Sequence, residues 1–117
     1  MLHAFRKEKK SLKQLNVVFC SDKFLLDINK KFLKHNFHTD VITFQYNKKR
    51  MPAEGEIFIS IDSVKSNSKK FETAFRNELH RVIIHGVLHL CGYSDKTPET
   101  KTVIKNKEDS YLLKRAF

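Results

Sequence analysis

The segment His85-Gly86-Val87-Leu88-His89-Leu90-Cys91-Gly92-Tyr93-Ser94-Asp95 constrains this chain more than any other part of it. Residues four apart on an α-helix are separated by about 400° of rotation and about 6 Å of rise, so His85 and His89 project from one face and can touch one ion. The next turn of a straight helix cannot offer a third ligand at a useful angle, so the helix must end. Gly92 is the residue able to end it, because glycine enters the left-handed conformation that closes helices and turns residues 93–95 back toward the histidines. Asp95 becomes the third candidate ligand. The expected element is a rigid helix, anchored by packing on an adjacent face, with the site on the helix and its C-terminal turn.

Three protein ligands rather than four leave a position for water on a tetrahedral ion such as Zn²⁺, which separates catalytic from structural zinc. Water on such an ion reaches a pKa of about 7 and supplies a nucleophile at neutral pH. A lone HxxxH pair would be weak, since two histidines satisfied within a fold give the same spacing. Gly92 and Asp95 at fixed offsets strengthen it, and the layout resembles the HExxHxxGxxH of the metzincin peptidases with aspartate in the last place. Gly86 stands where those peptidases carry their general-base glutamate, which argues against proteolysis. A structural metal closed by Cys91 is a further alternative.

The chain of 117 residues allows one core, so residues 1–117 are expected to form a single metallo-hydrolase domain. An apolar fraction of 40% and ten phenylalanines favour folding over disorder. No run of about 18 apolar residues is present to span a membrane. Residues 1–14 carry Arg6, Lys7, Lys9 and Lys10 without an apolar core, so no secretory signal is expected and the location is expected to be cytoplasmic. Cys20 and Cys91 form no CxxC pair and read as small buried residues. The formal net charge of +10 favours a polyanionic partner, RNA, DNA or an anionic membrane surface, without choosing among them. Basic clusters run through the chain, and Lys48-Lys49-Arg50 is taken as a candidate RNA contact.

Periodicity predicts a strand over 14–20, then a helix capped by Ser21 or Asp22 whose Phe24, Leu25, Ile28, Phe32 and Leu33 form a core face. A strand over 41–46, a loop over 48–55 and a strand over 56–61 follow as a pair. Asp62 is expected to cap a short helix to about Phe71, and Thr73 to cap the next, with Phe75, Leu79, Val82, Ile83, Val87 and Leu90 buried. Glu78, Arg81, His85 and His89 lie on a neighbouring stripe. Thr97 and Pro98 open a last helix through Val103, Ile104 and Tyr111 to Leu113. The order β-α-β-β-α-α-α predicts an α+β fold, a small mixed sheet with helices packed on it.

With these residues in place, the chain resembles the YbeY family of metal-dependent rRNA maturation endoribonucleases over residues 29–112. Glu78-Leu79 followed by 85–93 matches the family's HGxLHLxGY, Thr39-Asp40-Val41-Ile42-Thr43-Phe44 is similar to its T(N/D)VLSF, and Gly55-Glu56-Ile57 to its GDI. The resemblance implies a compact α+β fold, one zinc-type ion on three side chains, and cleavage of single-stranded RNA in rRNA maturation and ribosome biogenesis, with ribosomal RNA or the small ribosomal subunit as partner. His85 and His89 match the family's first two ligands, while Asp95 stands where its third is usually histidine. A carboxylate leaves a Zn²⁺ site near +1 rather than +2, so its water should be less acidic. Leu33 replaces an arginine that the family places shortly after an aromatic; Arg81, one turn before His85, is the candidate substitute at a scissile phosphate, with an Arg81–Glu78 ion pair as its plainer role. A non-catalytic RNA-binding ribosome-assembly factor is the rival reading, and a metzincin-like peptidase the weaker one.

Overall fold

The computed structural model describes residues 2–34, 39–48 and 50–114. Its elements are α1 (Leu2–Lys7), β1 (Leu12–Cys20), α2 (Asp22–Phe32), β2 (Val41–Gln45), β3 (Ala53–Ser60), α3 (Ile61–Lys70), α4 (Phe75–Leu90) and α5 (Pro98–Lys114). The sheet has the order β1-β3-β2, with β1 parallel and β2 antiparallel to β3. This is the expected α+β fold with a mixed sheet.

Strand β3 is central, and its alternation shows both faces at work. Ala53, Ile57 and Ile59 are fully buried on the side of the main core, where Val82, Val87, Leu88 and Leu90 of α4 meet them. Phe58 points to the other face, where Leu25 and Ile28 of α2 and Ile42 of β2 form a smaller cluster. Gly86 is where α4 comes nearest the sheet: a Cβ there would sit 2.8–3.0 Å from side-chain carbons of Ile57. A glutamate at 86 has no room, which gives a steric reason for the argument against a metzincin mechanism. Gly86→Ala is expected to cost about 1–2 kcal/mol, a drop in melting temperature of roughly 5–10 °C readable by circular dichroism.

Several boundaries differ from the sequence expectation. Helix α1 was not anticipated; it is short and basic, and it is held by burial of Ala4 and Phe5 in the main core rather than by propensity. Strand β3 starts at Ala53, not 56, because the pairing with β1 extends from Leu12. Ser60, not Asp62, caps α3, and α4 has Ala74 at its N-cap with no side-chain bond, not Thr73. Ser21 caps α2 and Thr97 exchanges bonds with Thr100 at the start of α5, as expected. On α2 only Leu25 and Ile28 of the predicted face are buried; Phe24, Phe32 and Leu33 are exposed, since a three-stranded sheet is too narrow to cover the whole stripe.

Candidate metal centre and cleft

Helix α4 carries His85 and His89 on the face that neighbours its buried stripe, and Gly92 ends it with φ of +104°. The Tyr93 N–H returns to the Leu88 carbonyl at 3.0 Å and the Gly92 N–H to His89 at 3.0 Å, a tight C-terminal closure. That closure brings Asp95 over the two rings. Its Oδ2 lies 3.3 Å from His85 Nε2 and 3.4 Å from His89 Nε2, and the two Nε2 atoms are 2.9 Å apart. Ligands of a tetrahedral ion with bonds of about 2.0–2.1 Å stand about 3.3 Å from one another, so the triangle has the size such an ion requires. Among the described residues, His85, His89 and Asp95 form a group able to hold a metal ion. Cys91 is outside it and packs against the main core, where burial pushes its thiol pKa up to about 11.

The partners of the far nitrogens set which ring atoms face the centre of the triangle. His89 Nδ1 donates to the Tyr93 carbonyl oxygen at 2.9 Å, and His85 Nδ1 donates to Glu108 Oε2 at 2.5 Å. Each ring therefore carries a proton on Nδ1 and turns Nε2 inward, where the neutral ring offers a lone pair. Two Nε2 atoms and a carboxylate oxygen thus converge on one spot, where a proton or a cation can join them. Partners of this kind behind metal-bound imidazoles fix ring orientation and basicity.

Glu108 is buried on α5, and Arg81 braces it: Nη1 meets Glu108 Oε1 at 3.1 Å, and Nη2 meets Asp109 Oδ1 at 2.6 Å. The strong bonds of Arg81 thus go to α5 rather than to Glu78, the partner weighed from the sequence. A second brace lies at the turn, where Glu8 accepts from Tyr93 Oη at 2.5 Å, from Lys107 Nζ at 3.2 Å and from Tyr111 Oη. Burial opposes the charge on Glu8, but these three donors carry its pKa below the usual carboxylate value. Likewise burial opposes a charged His85, yet the hydrogen bond and charge of Glu108, with Asp95 and Asp40 adding, raise its pKa above 6.5.

A cleft of about 560 Å³ opens beside the triad, lined by Asn29, Asp40, Thr43 and Gln45 as well as His85, His89 and Asp95. Its floor is the free edge of β2. The Asp40 carbonyl and the Tyr46 N–H bond to the β3 side, so Val41, Thr43 and Gln45 turn their backbone groups away from the sheet. Burial lifts the pKa of Asp40 above the usual aspartate value. Lys48 and Arg50 are exposed in the turn beyond Gln45, outside the cleft lining, and Lys49 lies outside the described residues. Leu33 also lines the cleft.

Sequence reasoning did not single out Glu108, Glu8 or Asp40 as site residues. A signal for Glu108 exists: with Ile104 and Tyr111 it occupies the buried stripe of α5, and an acid on a core stripe needs a partner.

The sequence model of the family Endoribonuclease YbeY matches residues 1–116. An Endoribonuclease YbeY of Cytophaga hutchinsonii is 48% identical over 112 residues, covering 96% of this chain and 78% of that protein. One of Karelsulcia muelleri is 52% identical over 106 residues, covering 91% of this chain and 74% of its own. The solution structure of a Thermotoga maritima protein superposes with a TM-score of 0.67 at 29% identity, over 94% of this chain and 72% of that one. A family match over nearly the whole length, with relatives at this identity and the same fold, establishes that the chain belongs to the Endoribonuclease YbeY family.

Proposed function

We propose that the chain is a metal-dependent endoribonuclease that cuts single-stranded RNA in rRNA maturation, in the cytoplasm, with ribosomal RNA or the small ribosomal subunit as its partner. The observation that carries the reading is the inward-facing set of His85 Nε2, His89 Nε2 and Asp95 Oδ2, with both rings locked from behind. These three side chains would hold one divalent ion, zinc by the size of the triangle and the nitrogen-rich donor set. When bound, the ion would polarise a phosphate oxygen and activate water or the RNA 2′-hydroxyl for attack on phosphorus.

The protein's own groups do the rest. Glu108 and the Tyr93 carbonyl keep the imidazoles in one tautomer and one orientation. Arg81 acts through Glu108, supplying positive charge beside His85 while holding that carboxylate in place. The edge of β2 lays one flank of the strand along the cleft, and Lys48 and Arg50 draw the backbone to its hairpin end. Among the described residues no helix is long and apolar enough to cross a membrane.

Metal analysis of the purified chain, followed by cleavage assays on precursor ribosomal RNA and on a denatured protein, tests the reading. RNA cutting that stops with a chelator and returns with Zn²⁺ supports it. Cutting of the protein alone, or RNA cutting indifferent to the chelator, overturns it. The raised pKa of His85 adds a pH signature to metal binding. A proton must leave His85 before the ion enters, so metal affinity should fall with falling pH, setting in at a higher pH than an ordinary imidazole at 6.5 would give. Metal titration by calorimetry over a pH series reads this directly.

A further inference from the structure

A second groove, of about 530 Å³, lies on the other side of the triad, between α3, α4 and α5. It shares His85 and Asp95 with the first cleft and no other lining residue, so the two grooves meet at the proposed ion. Its wall carries Phe71, 58% exposed at the end of α3, a large ring left in solvent next to a polar centre. Lys70 Nζ stands 5.4 Å from the centre of that ring. Opposite are Lys101 and Lys105, both exposed and four residues apart on α5, which puts them on one face of the helix with their Cα atoms about 6 Å apart along the axis.

Among the described residues, neither Lys101 nor Lys105 has a carboxylate partner. Of the groove's three acids, Glu108 is held by Arg81 and His85, Asp95 faces the two imidazoles, and Glu78 is buried in the wall, where burial favours its neutral form. An exposed aromatic ring flanked by unpaired lysines is the arrangement that binds single-stranded nucleic acid, the ring taking a base face and the ammonium groups the phosphates.

We propose that this groove is a nucleotide subsite: Phe71 stacks one base of the RNA and Lys101 and Lys105 hold its phosphates, on the far side of His85 and Asp95 from the β2 cleft. The proposal rests on the endoribonuclease reading and deepens it, since a strand crossing both grooves passes a phosphate over the metal ligands. It also divides the positive charge into parts with different duties, Lys48 and Arg50 at one flank and Lys101 with Lys105 at the other.

The test is anisotropy of a fluorescein-labelled, 2′-O-methylated single-stranded oligoribonucleotide titrated with the intact chain over a salt series. Lys101→Gln with Lys105→Gln should weaken binding about tenfold and flatten the slope of log affinity against log salt by about 1.4, two phosphates at about 0.7 each. Phe71→Leu should weaken binding about tenfold with the slope unchanged. All three positions are exposed, so the fold should tolerate the changes, and equal melting curves verify it. Lys23→Gln with Lys30→Gln on α2 removes the same charge elsewhere as a control. If the Lys101 and Lys105 pair behaves like wild type or like that control, or if Phe71→Leu binds as tightly as wild type, the subsite is wrong while the function stands. Wild-type protein that binds no RNA would overturn both.

Discussion

His85→Ala and His89→Ala are each expected to abolish stoichiometric metal binding and to lower RNA cleavage by about a thousandfold or more. The reasoning starts from the triangle of donors. Removing one imidazole leaves one ring and one half-exposed carboxylate, a pair that cannot hold a tetrahedral ion against water. Electrostatic stabilisation by such an ion is worth several kcal/mol, and about 4 kcal/mol corresponds to about a thousandfold in rate. In the metal-free state His85→Ala should lower stability, because it leaves the buried Glu108 without the ring that donates to it, whereas His89→Ala, whose Nδ1 partner is the Tyr93 carbonyl in the adjacent turn, should change it less. Metal content by mass spectrometry and single-turnover cleavage of a labelled RNA check the prediction together. Cleavage that survives both substitutions means that the activity came from another site.

Glu108→Ala comes second in size. Glu108 touches no ion, yet it sets the His85 tautomer and is the partner of Arg81 on α5. Loss of a carboxylate behind a ligating histidine typically lowers metal affinity 10–100-fold. The substitution also leaves Arg81 with only Asp109; a fully buried broken pair costs about 3–5 kcal/mol, but the Arg81 side chain is 33% exposed and keeps one partner, so about 1–3 kcal/mol is expected. Glu108→Gln separates the two effects. An amide oxygen can still accept from His85 Nδ1 without the charge, so orientation is retained while the ring becomes less basic. Metal affinity should therefore fall less for Gln than for Ala. Equal affinities for wild type, Gln and Ala, measured by competition with a chromophoric chelator, would remove Glu108 from the account of the site.

The histidine pair, the glycine that breaks the helix and the aspartate beyond it were legible because their geometry is local. Four residues on a helix and one left-handed turn place them, and nothing distant has to be known. The α+β class was legible for the same reason, since strand and helix periods are short-range signals. The predicted face of α2 was misjudged at its ends because periodicity reports which side is apolar and not how wide the surface opposite it is. Helix α1 escaped because its six residues are ordered by contacts with a core that the local sequence does not reveal.

What the sequence by itself determined is the candidate set, His85, His89 and Asp95, and the turn that gathers it. His89 is oriented locally by the Tyr93 carbonyl, but only the tertiary structure decided which nitrogen of His85 faces inward, because Glu108 is brought from α5, and it braced the turn by bringing Glu8 from the end of α1 to Tyr93. It also decided that two grooves meet at the triad. Such pairings join residues tens of positions apart and leave no period in the chain; they exist only after burial has packed the helices, and the desolvated charges must then find one another.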